Sequence, residues 1–417
     1  MSNRYNLRYT IQVAATVIML CISAYIPTLA QSHAYNGNTP HLTPELNVMP
    51  ILPQWPKELV KMYDTTTVLF IGDIMQHAPQ IKSALIPGKD PMDPSSYNHS
   101  CMFKYIHKEL TAADIAVANI EFPIGTPPYS GYPNFSAPES IITEASKNGI
   151  TLFQIANNHL MDKGKKGIEK TLEIYDSLKV HYTGAYRNSS QEKAMNPKII
   201  ETNGLRLAFI NFTYGTNGIP VPPPYVTNMM DSVKVKETIQ RAKESSAHMI
   251  IALPHWGNEY QIYPSGIQKK WAKMLFRNGV KIIVGTHPHV PQTVELYMNS
   301  TSNPRRYGAV EKMVFYSLGN YISNQSNPDY TQLGMLVKVK IIKNNISGEI
   351  SLCKPEIEYL WCFKKNELEH DYTVIPGKDI LNNPELQKKI KDKMQLERMI
   401  RTYNSILDKN PTKELYQ

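Results

Sequence analysis

The stretch Ile282-Ile283-Val284-Gly285-Thr286-His287-Pro288-His289-Val290 decides the reading: an apolar run stops at a glycine, and two histidines follow two residues apart. A short apolar run closed by Gly predicts a buried parallel strand, and open α/β sheets place their chemistry just past strand carboxyl ends. His287 and His289 fall there. Neutral imidazole is the commonest metal ligand, and an alternating pair on extended backbone puts both rings on one side. Such a pair by itself equally describes two surface histidines, so further ligands must come from elsewhere in the chain.

Working outward, the same pattern recurs. Thr67-Val68-Leu69-Phe70-Ile71-Gly72 is a strand closing on Asp73, and Asp114-Ile115-Ala116-Val117-Ala118 leads into Asn119 and Glu121. The run from Ile150 to Ala156 ends on Asn157-Asn158-His159, and that from His248 to Pro254 ends on His255. Met313 to Gly319 closes on Asn320. Between them lie helical periods: Ile168, Leu172 and Tyr175; Val235, Ile239 and Ala242; Trp271, Met274 and Leu275. Ser136 to Glu139 and Ser265 to Gln268 have capping-box spacing. Alternating runs near 333 to 345 and 349 to 361 suit antiparallel edges, and Asn383 to about Leu407 predicts one basic amphipathic helix.

The amino terminus stands apart. Arg4 and Arg8 precede an apolar stretch from Ile11 to Ile26, with Thr28 and Ala30 placed for cleavage after Ala30; an uncleaved anchor is the alternative. Leu20 is too bulky before Cys21 for a lipidation site. Residues 31–62 are proline-rich and lack either period, as a linker or surface strap would. Of the 417 residues, 42% are hydrophobic and 19% charged, which is ordinary globular composition, and the formal net charge is +9. A basic exported protein can meet an anionic polymer or membrane headgroups; nucleic acid is not an expected partner. Past the leader, no run is long enough to span a bilayer. Cys101, Cys353 and Cys362 form no Cys-x-x-Cys pair, so thiolate metal sites are not expected; whether Cys353 and Cys362 pair stays open.

Asp73, Asn119, Glu121, Asn158, His159, His255, His287 and His289 thus all lie near predicted strand ends. Residues this far apart converge only if a sheet brings those ends to one edge. Carboxylate, amide oxygen and imidazole together suit zinc, manganese or iron and disfavour calcium. A site of that kind lowers the pKa of bound water and holds phosphate oxygens during in-line attack. If Glu121 bridges two ions, His159 is placed to protonate a leaving oxygen; the alternative is a histidine that only orients a neighbour.

Six motifs in order, Gly72-Asp73-Ile74-Met75, Asn119-Ile120-Glu121, Ala156-Asn157-Asn158-His159 with Asp162 and Gly164, His255-Trp256-Gly257-Asn258-Glu259-Tyr260, Gly285-Thr286-His287-Pro288-His289-Val290 and Tyr316-Ser317-Leu318-Gly319-Asn320, carry a resemblance. From about Val68 to Tyr321 the chain resembles the CapA family of capsule-synthesis proteins, within the calcineurin-like metallophosphoesterase superfamily. The resemblance implies an α/β four-layer sandwich, two stacked mixed β-sheets flanked by helices, over residues 63–362. A signal peptide (1–30) and linker (31–62) precede it, and a C-terminal helical extension (363–417) follows. It implies placement in the periplasm or cell envelope and a link to poly-γ-glutamate or other capsule polymers, with capsule-synthesis machinery at the membrane as a partner.

It also implies one or two divalent ions, with Asp73 on the first metal, Glu121 bridging, Asn158 and His255 on the second, and His287 and His289 completing the set. His159 falls on the leaving-group acid. His77, Asn119, Glu259 and Asn320 are further candidates. Three positions depart from the phosphoesterase pattern: Met75 stands where a histidine is expected, with His77 two residues on; Asn119-Ile120-Glu121 replaces Gly-Asp; and Leu160 replaces an acid. The two functional expectations are a metal-dependent hydrolase of a phosphoester or amide-linked anionic polymer, and a non-catalytic accessory that binds capsule polymer.

Overall fold

A computed structural model describes residues 62–300, 308–364, 367–368, 371–391, 393–410 and 412–416. The leader at 1–30 and the linker up to residue 61 lie outside the described residues. Strands are numbered in chain order. In one half, β1 (Tyr63–Ile74) pairs in parallel with β2 (Ile115–Ile120), which carries β3 (Leu152–Gln154) and then β4 (His181–Thr183). A separate two-stranded ribbon joins β5 (Ala185–Tyr186) to β8 (Val226–Thr227). In the other half, the hairpin of β6 (Lys198–Thr202) and β7 (Leu205–Thr213) leads to parallel β9 (Met249–His255), β10 (Ile282–Val284) and β12 (Val310–Phe315).

β11 (Val294–Met298) lies antiparallel on β12, and β13 (Asn320–Ile322) lies parallel to β1. β14 (Leu333–Asn344) pairs antiparallel with β1 on one side and with β16 (Glu356–Phe363) on the other, so this run is an interior strand rather than the edge its alternation predicts. Its faces still alternate because each meets a different layer. β15 (Ile350–Leu352) bonds to both β14 and β12, which makes the two halves one hydrogen-bonded ribbon folded over on itself.

Side-chain period 2 builds the layers. In β1, Val68 and Phe70 point into one core while Leu69 and Ile71 point into another. The inward set meets Phe209, Ile251 and Val284 from the opposite half, forming the core between the sheets. The outward set is covered by α1 (His107–Ala112), α2 (Ser140–Lys147) and α3 (Gly164–Ser177) through Leu110, Ile142 and Leu172. On the far side α4 (Ser232–Glu244) and α5 (Gly266–Arg277) cover Ala208, Ile250 and Ile283 with Val235, Ile239 and Leu275. The order helix, sheet, sheet, helix is the four-layer sandwich expected. Each large apolar side chain so buried contributes about 1.5–3 kcal/mol.

Several local expectations resolve differently. The Ser265 capping box forms, with its hydroxyl accepting from the Gln268 amide, but Ser136 caps nothing. Its backbone pairs with Ser130 across a loop, and the helix starts after Glu139 instead. The single terminal helix is two, Pro384–Lys388 and α6 (Lys393–Lys409). Met399 and Ile406 of α6 enter the core between the sheets, β17 (Thr373–Pro376) extends β16, and β18 (Lys413–Tyr416) pairs with β11. Cys101, Cys353 and Cys362 are free thiols, so Cys353 and Cys362 form no disulfide.

Candidate metal centre

Register places the first ligands. Asp73 on β1 sits directly between Asn119 of β2 and Asn320 of β13, so three strand ends present polar side chains in one row. Across the fold, His255 ends β9 beside Thr213 of β7 and bridges to Thr286, just past β10. The close approach of these ends requires glycine: a Cβ on Gly72 would lie 1.9 Å from the Gly319 carbonyl oxygen, and one on Gly285 would lie 2.1 Å from that of Tyr316.

His287 and His289 do not ride an extended strand. Both have positive φ, 99° and 59°, within a turn after β10. Such backbone costs on the order of 1–3 kcal/mol per residue outside glycine and clusters at functional sites. The turn, not strand alternation, aims both rings into the site, with ring centroids 6.0 Å apart and His287 4.8 Å from His255.

Glu121 lies at the centre and is fully buried. Its Oε1 is 3.6 Å from His255 Nε2 and 3.6 Å from His289 Nε2, too far for hydrogen bonds, and has no partner. His287 Nδ1 is likewise buried and unpartnered. Three groups of ligand atoms converge here: Asp73, Glu121 and His289; Glu121, His255 and His287; and Glu259, His287 and His289. Glu121 belongs to the first two, the placement expected of a bridging carboxylate. Asn158 joins the second through Oδ1, 2.7 Å from His255 Nε2.

The electrostatics show what the site wants. Burial, followed by the nearby Asp73 and Glu259 carboxylates, pushes the Glu121 carboxyl well above its ordinary range. Burial also drives the His255 and His287 imidazoles well below theirs, so both are neutral and able to ligate. A buried carboxylate with an orphan oxygen, facing neutral imidazoles, is the donor set of a divalent cation, whose charge reverses the penalty on Glu121. The residues fit such an ion.

Supporting groups hold the ligands in place. The Asn119 amide donates to Asp73 Oδ1 at 2.7 Å and to Glu121 Oε2 at 3.2 Å, so it orients both carboxylates. Asn320 Oδ1 is 3.0 Å from His289 Nδ1, and Thr286 Oγ1 is 3.0 Å from His255 Nδ1. His159 Nδ1 pairs with Asp162 Oδ2 at 2.8 Å, with the ring edge-on to Phe135. His77 belongs to none of the three groups: its Nδ1 faces Gln80 Oε1 at 3.0 Å, and burial first of all lowers its pKa to about 4. Met75, where a histidine was expected, is buried in the outer core.

Residues 67–325 match the family model for the bacterial capsule synthesis protein PGA_cap. The chain belongs to this family. Among PGA_cap relatives it is 29% identical over 273 residues to the capsule biosynthesis protein CapA of Bacillus anthracis, covering 62% of this chain and 60% of that one. It is 27% identical over 289 residues to the PGA biosynthesis protein CapA of Bacillus subtilis, covering 64% and 66%. The chain thus spans under two thirds of either relative. Similar solved structures include the Haemophilus influenzae NAD nucleotidase, at TM-score 0.40 and 14% identity over 83% of this chain and 61% of that one. Another is a putative 5'-nucleotidase from Staphylococcus aureus, at TM-score 0.42 and 13% identity over 82% and 58%.

In this PGA_cap chain the carboxylate beside His159 comes from Asp162, two positions past Leu160, which also accepts from the Phe135 amide at 2.9 Å. Two site residues escaped the sequence reading. Asn217, at φ 50°, links the sites by accepting from Asn158 Nδ2 at 3.3 Å and lying 3.4 Å from His159 Nδ1. Tyr214 packs its ring 4.6 Å from that of His287. The signal was the polar Tyr214-Gly215-Thr216-Asn217-Gly218 stretch just past β7, one more strand end of the kind already recognised elsewhere.

Proposed function

We propose that the chain is an exported cell-envelope protein of poly-γ-glutamate or related capsule biosynthesis. In this reading the Glu121-centred site holds one or two divalent ions, manganese, zinc or iron, and hydrolyses a phosphoester. The observation that carries the reading is the orphan Glu121 Oε1, shared between two convergent ligand groups. The leader pattern at residues 1–30 supports export, and the basic composition suits an anionic polymer close to assembly machinery at the membrane.

Bound ions would supply an activated water and stabilise charge on the phosphoryl oxygens. Asp73, Glu121, Asn158, His255, His287 and His289 would hold them. His159 would carry the proton to the leaving oxygen, with Asp162 fixing its ring and tautomer through Nδ1. Asn217 accepts from the ligand Asn158 and packs beside His159, so it sits between the acid and the ligand set.

Elemental analysis of the mature protein, together with turnover of a phosphoester panel, tests this. Metal is expected at about stoichiometric level, with turnover abolished in Asp73→Ala and His287→Ala. Full metal content with no turnover in the wild type would sink the hydrolase and leave the polymer-binding accessory.

A further inference from the structure

Large side chains exposed to solvent gather at the mouth of the ligand groups. Tyr214 is 45% exposed and packs against His287; Tyr260 is 38% exposed with its ring 6.1 Å from His289. Tyr132 is 73% exposed, and its ring lies 6.4 Å from Phe135, which in turn packs on His159. Tyr214 and Tyr260 are thus buttressed by site histidines and Tyr132 reaches His159 through Phe135, and each phenol leaves surface open to water. Exposed aromatics grouped in this way mark a binding surface.

The chemistry of these phenols selects among ligands. A tyrosine offers a flat apolar face and a hydroxyl edge, which suits a ring that has C–H faces and a polar rim. Amide groups complete the rim, with Gln325 Nε2 donating to the Tyr260 hydroxyl at 3.2 Å and Asn217 facing His159. Phenol and amide are hydrogen-bonding partners for vicinal hydroxyls, and neither Arg nor Lys takes part in these contacts.

We infer that Tyr132, Tyr214 and Tyr260 form a stacking subsite for a pyranose ring, so that the ester cleaved at the metal groups is carried by a glycan or sugar phosphate. The inference rests on the proposed hydrolytic site for its second half only. The subsite can be read without metal or turnover.

Saturation-transfer NMR on the full chain, with methyl hexopyranosides as probes and glycerol and adenosine as controls, tests it. Pyranoside ring protons should receive saturation and glycerol should not. Tyr214→Leu and Tyr132→Leu should each weaken pyranoside binding about five- to tenfold, whereas the Tyr→Phe variants keep most of it. Tyr132 is so exposed that its variant reports on binding rather than folding, and unchanged thermal midpoints check both. Absent pyranoside saturation, saturation indifferent to the Leu variants, or preference for the adenosine base would overturn the inference. Phosphoester turnover without ring contact removes the subsite and leaves the hydrolase; ring contact without turnover does the reverse.

Discussion

Replacing Glu121 by Gln probes the centre most directly, because it keeps the shape and removes the charge on which both ligand groups depend. In the metal-free protein the Glu121 carboxyl is held above its unfolded value near 4.3, with burial as the main cause and Asp73 as the second. Between the two values the folded chain keeps a proton that the unfolded chain has released. Metal-free stability therefore falls as pH rises through that window, and E121Q removes this loss. With a divalent ion the sign reverses. At a hundred times its Kd, an ion bound only to the folded state adds about 2.7 kcal/mol. For the unit Leu59–Gln417, unfolding entropy of about 2.1 cal/mol/K per residue sums to about 0.75 kcal/mol/K, so the wild-type midpoint should rise by about 4 °C. A site weakened a hundredfold is half filled at that concentration, adding about 0.4 kcal/mol or roughly 0.5 °C. Thermal unfolding of chelator-stripped wild type and E121Q, with manganese titrated in at pH 7.5, reads both arms. A full shift in E121Q would refute the central role of Glu121, and so would a metal-free E121Q less stable than wild type at that pH.

Removing the proton donor should lower kcat by about 10²–10⁴-fold in His159→Ala, with a smaller loss in Asp162→Asn and little change in KM in either, measured on the most active phosphoester. A change confined to KM would show that the pair binds substrate instead. His99 is buried between Ser140 and Gln76, and burial lowers its pKa to about 3. Between about pH 4 and 6 the unfolded chain takes up a proton there that the folded chain refuses, so stability rises with pH; His99→Gln should flatten that slope by up to about 1.4 kcal/mol per pH unit, seen in urea titrations across the range. Burial raises the Cys362 thiol to about 12, so a thiol reagent at pH 8 should label half-exposed Cys353 in the native protein and reach Cys362 only after unfolding.

Most of the frame was legible before any coordinates, because strand and helix periods are local properties of the chain. The runs ending on Asp73, Glu121, Asn158 and His255 form strands, or abut them, as their patterns predict, and Asp73, Glu121, His255, His287 and His289 do converge. Misreadings arose where a neighbour from another element claimed a local signal. Ser136 has capping-box spacing but spends its backbone on Ser130, and β14 alternates like an edge strand but is flanked on both sides.

By itself, then, the sequence determined the alternation of elements, the residue types at the strand ends and hence the chemistry available to them. Only the tertiary structure decided that Glu121 is shared between two ligand groups, that His287 and His289 reach the site through left-handed backbone, and that Asp162 pairs with His159. The physical reason is separation: the Asp73 carboxylate meets the His287 amide across 214 positions. Which atoms meet over that distance depends on sheet register and turn geometry, which no local period encodes.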